Sequence, residues 1–297
     1  MSILAFDIGG TKIRAGLVDG DQVVDPRVVP TEAHLGGRQV MAKLQQIANS
    51  YTAYEGIAVA AAGVIKDGVV VSSSALLPGW QGTNITGELA DAAGCAVAAL
   101  GDVHAHGLGE AIYGAGRGFA SCLTIGLGTG IGGAFTEGDR VQRGVVGLAG
   151  HFGHMTVPDA VAEKLVCSCG HIGHIEPLAS GSGLIARYQK ATGEKLSGAE
   201  IAARAAAGDG VAAKIVFGSA RALGVLIGDS VNLLDPGAVV LSGSVVNAGA
   251  DWWQAVREGY ASSVIPVALQ TPIVRGELQE NAPLIGAAVH YRREHAK

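Results

Sequence analysis

SILAFDIGGTKIRAGLVDGDQV, residues 2–23, decides how this chain is to be read. An apolar run, Ser2–Phe6, ends in Asp7 and predicts a buried strand. DIGGT turns the chain, Lys12–Val18 predicts a second strand, and the acidic turn VDGDQV leads into a third segment. Only then does a helix follow, over 37–51, with Val40, Leu44 and Ile47 at helical spacing. Ile57–Ala61 reads as the next strand. Strand, turn and strand before the first helix is not the opening of a βαβ dinucleotide unit. The chemistry of the turn points to phosphate. Glycines 9 and 10 let main-chain amides approach phosphate oxygens, Thr11 supplies a hydroxyl, and Asp7 is placed to help hold hydrated Mg²⁺. The plainer alternative is a tight hairpin whose Asp caps backbone. No GxxxxGK[ST] segment exists, so this is not a P-loop enzyme.

The pattern recurs in the middle of the chain. LTIGLGTGIGGAFTEGDRV, residues 123–141, is again strand, glycine turn, strand and acidic turn. A second glycine turn can bind the other end of a triphosphate, and the echo predicts two related α/β lobes with a cleft between them. Between the two turns, a strand over Ala96–Leu100 delivers Gly101 and Asp102 to the start of a helix. Asp102 is the candidate general base, able to orient or deprotonate an acceptor hydroxyl. A helix N-cap is the competing reading of a lone Asp there. Before that strand a helix is expected to begin near Asn84 or Thr86, and further on Glu200–Leu234 reads as helix interrupted around 208–210. Val239–Leu241 reads as a strand running into Ser-Gly-Ser, and Pro283–Arg293 as a last helix.

A third feature is chemical rather than periodic. LAGHFGHMTV carries His151 and His154, and CSCGHIGHIE carries Cys167, Cys169, His171, His174 and Glu176. Close thiols followed by imidazole suit tetrahedral zinc. The expected ligand set is His154, Cys167, Cys169 and His174, a closed structural site, with His171 as a substitute for His174. A loop of reduced cysteines and surface histidines is the alternative, and a nucleophilic cysteine a weaker one. Glu176, just past the cluster, is a candidate for a sugar hydroxyl, or for a bond that braces the loop.

Composition bounds the function classes. The 297 residues are 48% hydrophobic, enough for a packed core. The formal charge of -5, with no dense Lys/Arg block, argues against a nucleic-acid or anionic-membrane surface. No charged segment and apolar core precede DIGGTK, so the four cysteines are expected to be reduced and the protein cytoplasmic. The apolar stretch near 57–65 is too short to span a bilayer.

DIGGTK, LGTGIGG, GHFGH, CSCGHIGHIE and LSGSV, in that order along nearly the whole chain, resemble the ROK family of sugar kinases. The resemblance implies a two-lobed actin-like ATPase (ribonuclease H-like) α/β fold with an interlobe active-site cleft. It implies MgATP-dependent transfer to a sugar hydroxyl, a zinc-containing loop, and a homodimer. The lobes would be residues 1–112 completed by a C-terminal helix over 281–297, and residues 113–280 containing the zinc loop 151–176. Asp7, Gly9, Gly10, Thr11 and Lys12 would form the first phosphate loop, and Gly128, Thr129, Gly130 and Gly132 the second. Gly243 and Ser244 would lie near the adenosine end of the nucleotide. Asp102 would be the base, with Gly79, His151, His154 and Glu176 at the sugar.

Three departures bear on the sugar. Gly101 precedes Asp102 where the family commonly has Asn, His104 follows where another Asn is common, and SSSALLPGW (72–80) lacks an Asn often found there. His174 also stands where a third Cys is common. His151, where many hexokinases of the family carry Glu, is similar to the branch that phosphorylates N-acetylmannosamine at its 6-hydroxyl. A glucokinase, a kinase for an unusual biosynthetic sugar or cyclitol, and a non-catalytic sugar-binding regulator are the other readings.

Overall fold

The computed structural model describes residues 2–73 and 77–296. Of the segment SSSALLPGW, residues 74–76 lie outside the described residues. The chain forms two compact units: Met1–Thr124 with Ala134–Gly150 and Glu277–Lys297, and Ile125–Gly133 with His151–Gly276. In chain order the elements are β1 (Ile3–Ile8), β2 (Lys12–Asp19), β3 (Gln22–Pro30), α1 (Gly37–Ala48), β4 (Gly56–Ala61), β5 (Val64–Lys66), β6 (Val69–Ser72), α2 (Ile85–Ala93), β7 (Ala96–Gly101) and α3 (Asp102–Tyr113). There follow β8 (Ser121–Leu127), β9 (Ile131–Glu137), β10 (Arg140–Val141), α4 (Pro158–Ala162), α5 (Glu176–Ala179), α6 (Gly181–Thr192), α7 (Gly198–Ala206), α8 (Gly210–Leu234), β11 (Ala238–Ser242), α9 (Ala250–Ser263), β12 (Ile273–Arg275) and α10 (Ala282–Glu294).

The echo between the halves is an echo of topology. One five-stranded sheet has the order β3-β2-β1-β4-β7 and the other β10-β9-β8-β11-β12. In the first, β1 pairs antiparallel with β2 and parallel with β4, which pairs parallel with β7. Alternate side chains of a strand face opposite sides of its sheet, and β1 uses both. Leu4, Phe6 and Ile8 join one core with Val40, Met41 and Leu44 of α1 and Ile85 and Leu89 of α2. Ile3 and Ala5 join the other with Leu284, Ile285 and Ala288 of α10 and Ala105 of α3.

Helix α10 returns the C-terminus to the first unit. A Cβ built on Gly286 would lie 1.8 Å from the Ala105 carbonyl oxygen, so glycine lets α10 approach the backbone of α3. The fully buried Glu110 of α3 locks the return. Its carboxylate accepts from the amides of Ala115 (3.0 Å), Glu277 (3.0 Å) and Leu278 (2.9 Å). A buried carboxylate tolerates burial only with such donors.

Several elements differ from expectation. The helix expected over 37–51 ends at Ala48, and Tyr51 leaves it to join the core and donate to the Asp25 carbonyl. The break at 208–210 separates α7 from α8, where Asp209 caps α8 by accepting from the amides of Val211 and Ala212. The β5–β6 hairpin, α6, α9 and β12 carry no pattern that the sequence reading singled out. Helix α8 is long and apolar enough to cross a membrane by length and composition. Its Ile215, Val216, Leu223, Ile227 and Val231 are nevertheless buried within the unit, as in a core helix. Trp252 of α9 is buried at 1% exposure and belongs to the core.

Candidate active site

In the first unit, parallel pairing brings the ends of β1, β4 and β7 to one edge of the sheet. Asp7 is opposite Ala60, and Ala61 is opposite Gly101. Ligands of open α/β sheets bind at this carboxyl edge. The turn after β1 is closed by its own backbone: the Gly9 amide donates to the Lys12 carbonyl at 3.0 Å. Thr31 braces it, its hydroxyl donating to the Gly9 carbonyl at 2.7 Å and its amide to the Thr11 carbonyl at 3.0 Å. Gly10 and Thr11 are exposed, as an anion-binding turn requires. Lys12 is also exposed and pairs with Glu280 at 3.4 Å.

Asp7 and Asp102 keep some exposed surface but lie deep among neighbouring atoms. Burial pushes the Asp7 carboxyl up to about 7, with the Asp102 charge adding to it and Arg14 and Lys12 opposing. Burial likewise pushes Asp102 up to about 6, against the hydrogen bond its carboxylate accepts from the Val103 amide at 2.8 Å. A carboxyl poised near neutrality is suited to take a proton from a hydroxyl. Arg14, opposite Asp7 in the ladder, is 5% exposed and donates to Asn281 at 3.1 Å. Gly79 has φ +64° and sits in a turn whose carbonyl packs over Gly37.

The second glycine turn joins β8 to β9 and is held by groups from elsewhere in its unit. The Gly128 carbonyl accepts from the Gly181 amide at 2.8 Å, and the Thr129 carbonyl from the Ser182 hydroxyl at 2.6 Å. The Ile131 amide donates to Glu176 Oε2 at 3.1 Å, and a Cβ on Gly130 would lie 2.7 Å from that oxygen. Gly132 follows within β9. Gly243 has φ +94°, and a Cβ there would lie 2.4 Å from the Leu127 carbonyl oxygen, so the Ser-Gly-Ser turn after β11 needs glycine. Gly128, Thr129 and Ser244 line a cavity of about 620 Å³, together with Gly181, Ser182 and Asn247. That volume is in the range of small-molecule and cofactor sites. The sequence reading missed Gly181, Ser182, Asn247 and the alanine face of α7. Ser180 followed by Gly-Ser-Gly was the available signal: Ser180 caps α6 by accepting from the Gly183 amide.

The His/Cys segment folds into one cluster, with donor atoms of His154, Cys167, Cys169 and His174 all within 4.8 Å of one another. A zinc ion with bonds of about 2.3 Å to sulfur and about 2.0 Å to nitrogen sets tetrahedral ligand atoms about 3.6 Å apart. Cys167 Sγ lies 3.4 Å from His154 Nδ1, and Cys169 Sγ 3.3 Å from His174 Nδ1, so the residues fit the ion. His171 is exposed, 3.7 Å from Cys169 Sγ, and stacks on His174 instead of joining the four. His151 stacks on His154 at 5.9 Å between ring centroids. Glu176 Oε1 accepts from the Ser168 hydroxyl at 2.7 Å, so one carboxylate ties the zinc segment to the second glycine turn. A structural zinc there would stiffen the segment that ends in Glu176.

Two sheets of one strand order, each opening on a glycine turn, define the class: an ATP-dependent phosphotransferase of the actin-like, ribonuclease H-like α/β fold. Solved structures of this class match nearly the whole chain. A ROK hexokinase from Thermus thermophilus is 33% identical, with a TM-score of 0.86 and 99% of each chain covered. A ROK family glucokinase from Streptomyces griseus, in complex with glucose and AMPPNP, is 27% identical, with a TM-score of 0.83 and 99% of this chain and 100% of that one covered. An N-acetylmannosamine kinase from Shigella flexneri is 34% identical over 296 residues, 97% of this chain and 98% of its own. The ROK family model matches residues 3–294, and the chain belongs to the ROK family. It is an ATP-dependent sugar kinase, using ATP with Mg²⁺.

Proposed function

We propose that the sugar is N-acetylmannosamine and that the γ-phosphoryl group of MgATP passes to its 6-hydroxyl. The observation that carries this reading is His151 in GHFGH, stacked on His154 at the entrance to the zinc segment. An imidazole can donate a hydrogen bond to a substrate oxygen, which a carboxylate cannot. The likeness to an N-acetylmannosamine kinase over nearly the full length supports it.

In this reading Asp102 orients or deprotonates the acceptor hydroxyl. Asp7, Gly9, Gly10, Thr11 and Lys12 handle the phosphates and Mg²⁺ from the first unit. Gly128, Thr129, Gly130 and Gly132 do so from the second, with Gly243 and Ser244 toward the adenosine. The cavity against Gly128 and Ser244 suits that end of the nucleotide. Gly79, His151, His154 and Glu176 serve the sugar. The functional lobes are residues 1–112 with 281–297, and 113–280. The enzyme works in the cytoplasm as a homodimer, without a nucleic-acid or membrane partner.

The test is ADP release with MgATP across N-acetylmannosamine, N-acetylglucosamine, glucose, mannose and glucosamine, with product masses checked. Selective turnover of N-acetylmannosamine to a monophosphate is expected. Selective turnover of glucose would transfer the assignment to glucokinase, which the likeness to the Thermus hexokinase keeps in view.

A further inference from the structure

Gly101 answers no backbone need of its own. Its φ of -63° and ψ of 146° are extended values that any residue adopts. What crowds a side chain there is the neighbourhood. A Cβ at 101 would lie 3.3 Å from Nδ1 of His104 and 3.5 Å from the Gly63 carbonyl oxygen. The first distance is tighter than ordinary contact, so the imidazole must give way by a few tenths of an ångström for even a methyl. His104 cannot easily withdraw. It is 2% exposed, and its Nε2 lies 2.6 Å from the Ala149 carbonyl oxygen. A carbonyl only accepts, so Nε2 donates, which fixes the ring's orientation.

Ala149 closes a loop that the first unit holds down elsewhere as well. Its amide donates to the Arg143 carbonyl at 3.1 Å. Gly147, at φ +83°, packs so closely on the Ile65 carbonyl oxygen that a Cβ would lie 2.5 Å from it. GHFGH begins at Gly150, directly after Ala149, and His151 is its second residue. His104 thus joins the helix that begins with Asp102 to the loop that leads into His151.

We infer that Gly101 and His104 are a matched pair that determines which sugar this kinase accepts. His104 is a positioning residue. It acts through the Ala149 carbonyl on the approach to GHFGH, and it fills the space beside Asp102 that a side chain at 101 would otherwise use. The result is an acceptor wall with no side-chain donor or acceptor projecting from 101. Such a wall favours a sugar that presents an apolar or bulky substituent over one whose hydroxyl needs a partner there. The inference rests on the sugar-kinase reading.

The experiment compares wild type, Gly101→Asn, His104→Ala and the double variant. It measures kcat and KM for N-acetylmannosamine and glucose, and KM for ATP. Gly101→Asn is expected to lower kcat/KM for the preferred sugar about tenfold, through KM, with the ATP KM moved less than about twofold. The double variant should recover most of that loss, or invert the sugar ranking, because the ring is no longer in the way. Equal losses for both sugars, or no recovery in the double variant, would overturn the pair. Thermal melts of Gly101→Ala, His104→Ala and their combination read the steric match without activity. Non-additive shifts are expected, and additive ones would overturn it. Absence of turnover by wild type with any sugar would instead overturn the kinase reading, leaving the melts to judge the match.

Discussion

The two glycine turns look alike in sequence and differ in what holds them. The turn over Gly9–Thr11 is a hairpin closed by its own backbone and by Thr31, with open space around the Cα of Gly10. The turn over Gly128–Gly130 is gripped by Gly181 and Ser182 of α6, and by Glu176. The first turn takes its electrostatics from buried carboxyls beside it. The second takes its shape from a carboxylate that also bonds the zinc segment at Ser168. Equal motifs therefore carry unequal dependencies: local chemistry governs one, and distant packing the other.

Glu176→Ala should break the contrast most strongly. It removes the acceptor of the Ile131 amide and of the Ser168 hydroxyl together. A displaced phosphate loop costs about 10²-fold in rate when reacting groups move by about 1 Å, so kcat/KM for ATP should fall by about that factor. A smaller loss for Glu176→Ala than for Thr31→Ala would reverse the ranking of the two turns. Chelation of zinc is the milder version. It loosens the segment without removing the carboxylate, and an effect of about tenfold on turnover is expected, restored by added zinc.

The first turn should be the one that responds to pH. Burial raises Asp7 to about 7 and Asp102 to about 6, above the ordinary carboxylate value of 3.8. Folding therefore favours the protonated forms. The stability they contribute is fully present below the unfolded value and is lost as pH rises through about 6 to about 7. In metal-free protein, the melting temperature of wild type relative to Asp7→Asn should drop between pH 5 and pH 8. A flat difference would remove the electrostatic account of the first turn. Activity runs the other way, because a base must be ionised. For one group titrating at about 6, kcat/KM for the sugar should fall about tenfold from pH 7 to pH 5.

What was legible in the sequence follows the same division. Strand, glycine turn and strand are local patterns, and β1, β2, β8 and β9 lie where the apolar runs predict them. The zinc cluster was legible because thiols and imidazoles are scarce and closely spaced, though only geometry separates His174 from His171. Glu110 was not legible: a Glu inside a helix reads as solvated until the return of residues 277–278 supplies its donors. The link from Glu176 to Ile131 spans 45 residues, and Gly181 and Ser182 reach the second turn from more than 50 residues away. Pairings at that distance have no periodicity to announce them. The reason for Gly101 was hidden in the same way, since an extended φ gives no hint of the His104 ring beside it.

The smallest predicted effect discriminates most finely. Gly10→Ala and Gly128→Ala add a methyl to open space, with nothing within 4 Å of the new atom, whereas Gly130→Ala places it 2.7 Å from Glu176 Oε2. None of the three glycines has a φ in the region that L side chains avoid, so strain in the backbone does not separate them. The Glu176 carboxylate end can swing away, but then the Ile131 amide loses its acceptor. Losing a part-buried hydrogen bond of that kind costs about 1–1.4 kcal/mol. Gly130→Ala should thus lower kcat/KM for ATP by about fivefold to tenfold, and the other two by less than about twofold. Adding Glu176→Ala should then make Gly130→Ala nearly silent, because the group it displaces is gone. If alanine at 10 or 128 costs as much as alanine at 130, the amides themselves limit both turns, and the packing difference between them has no kinetic weight.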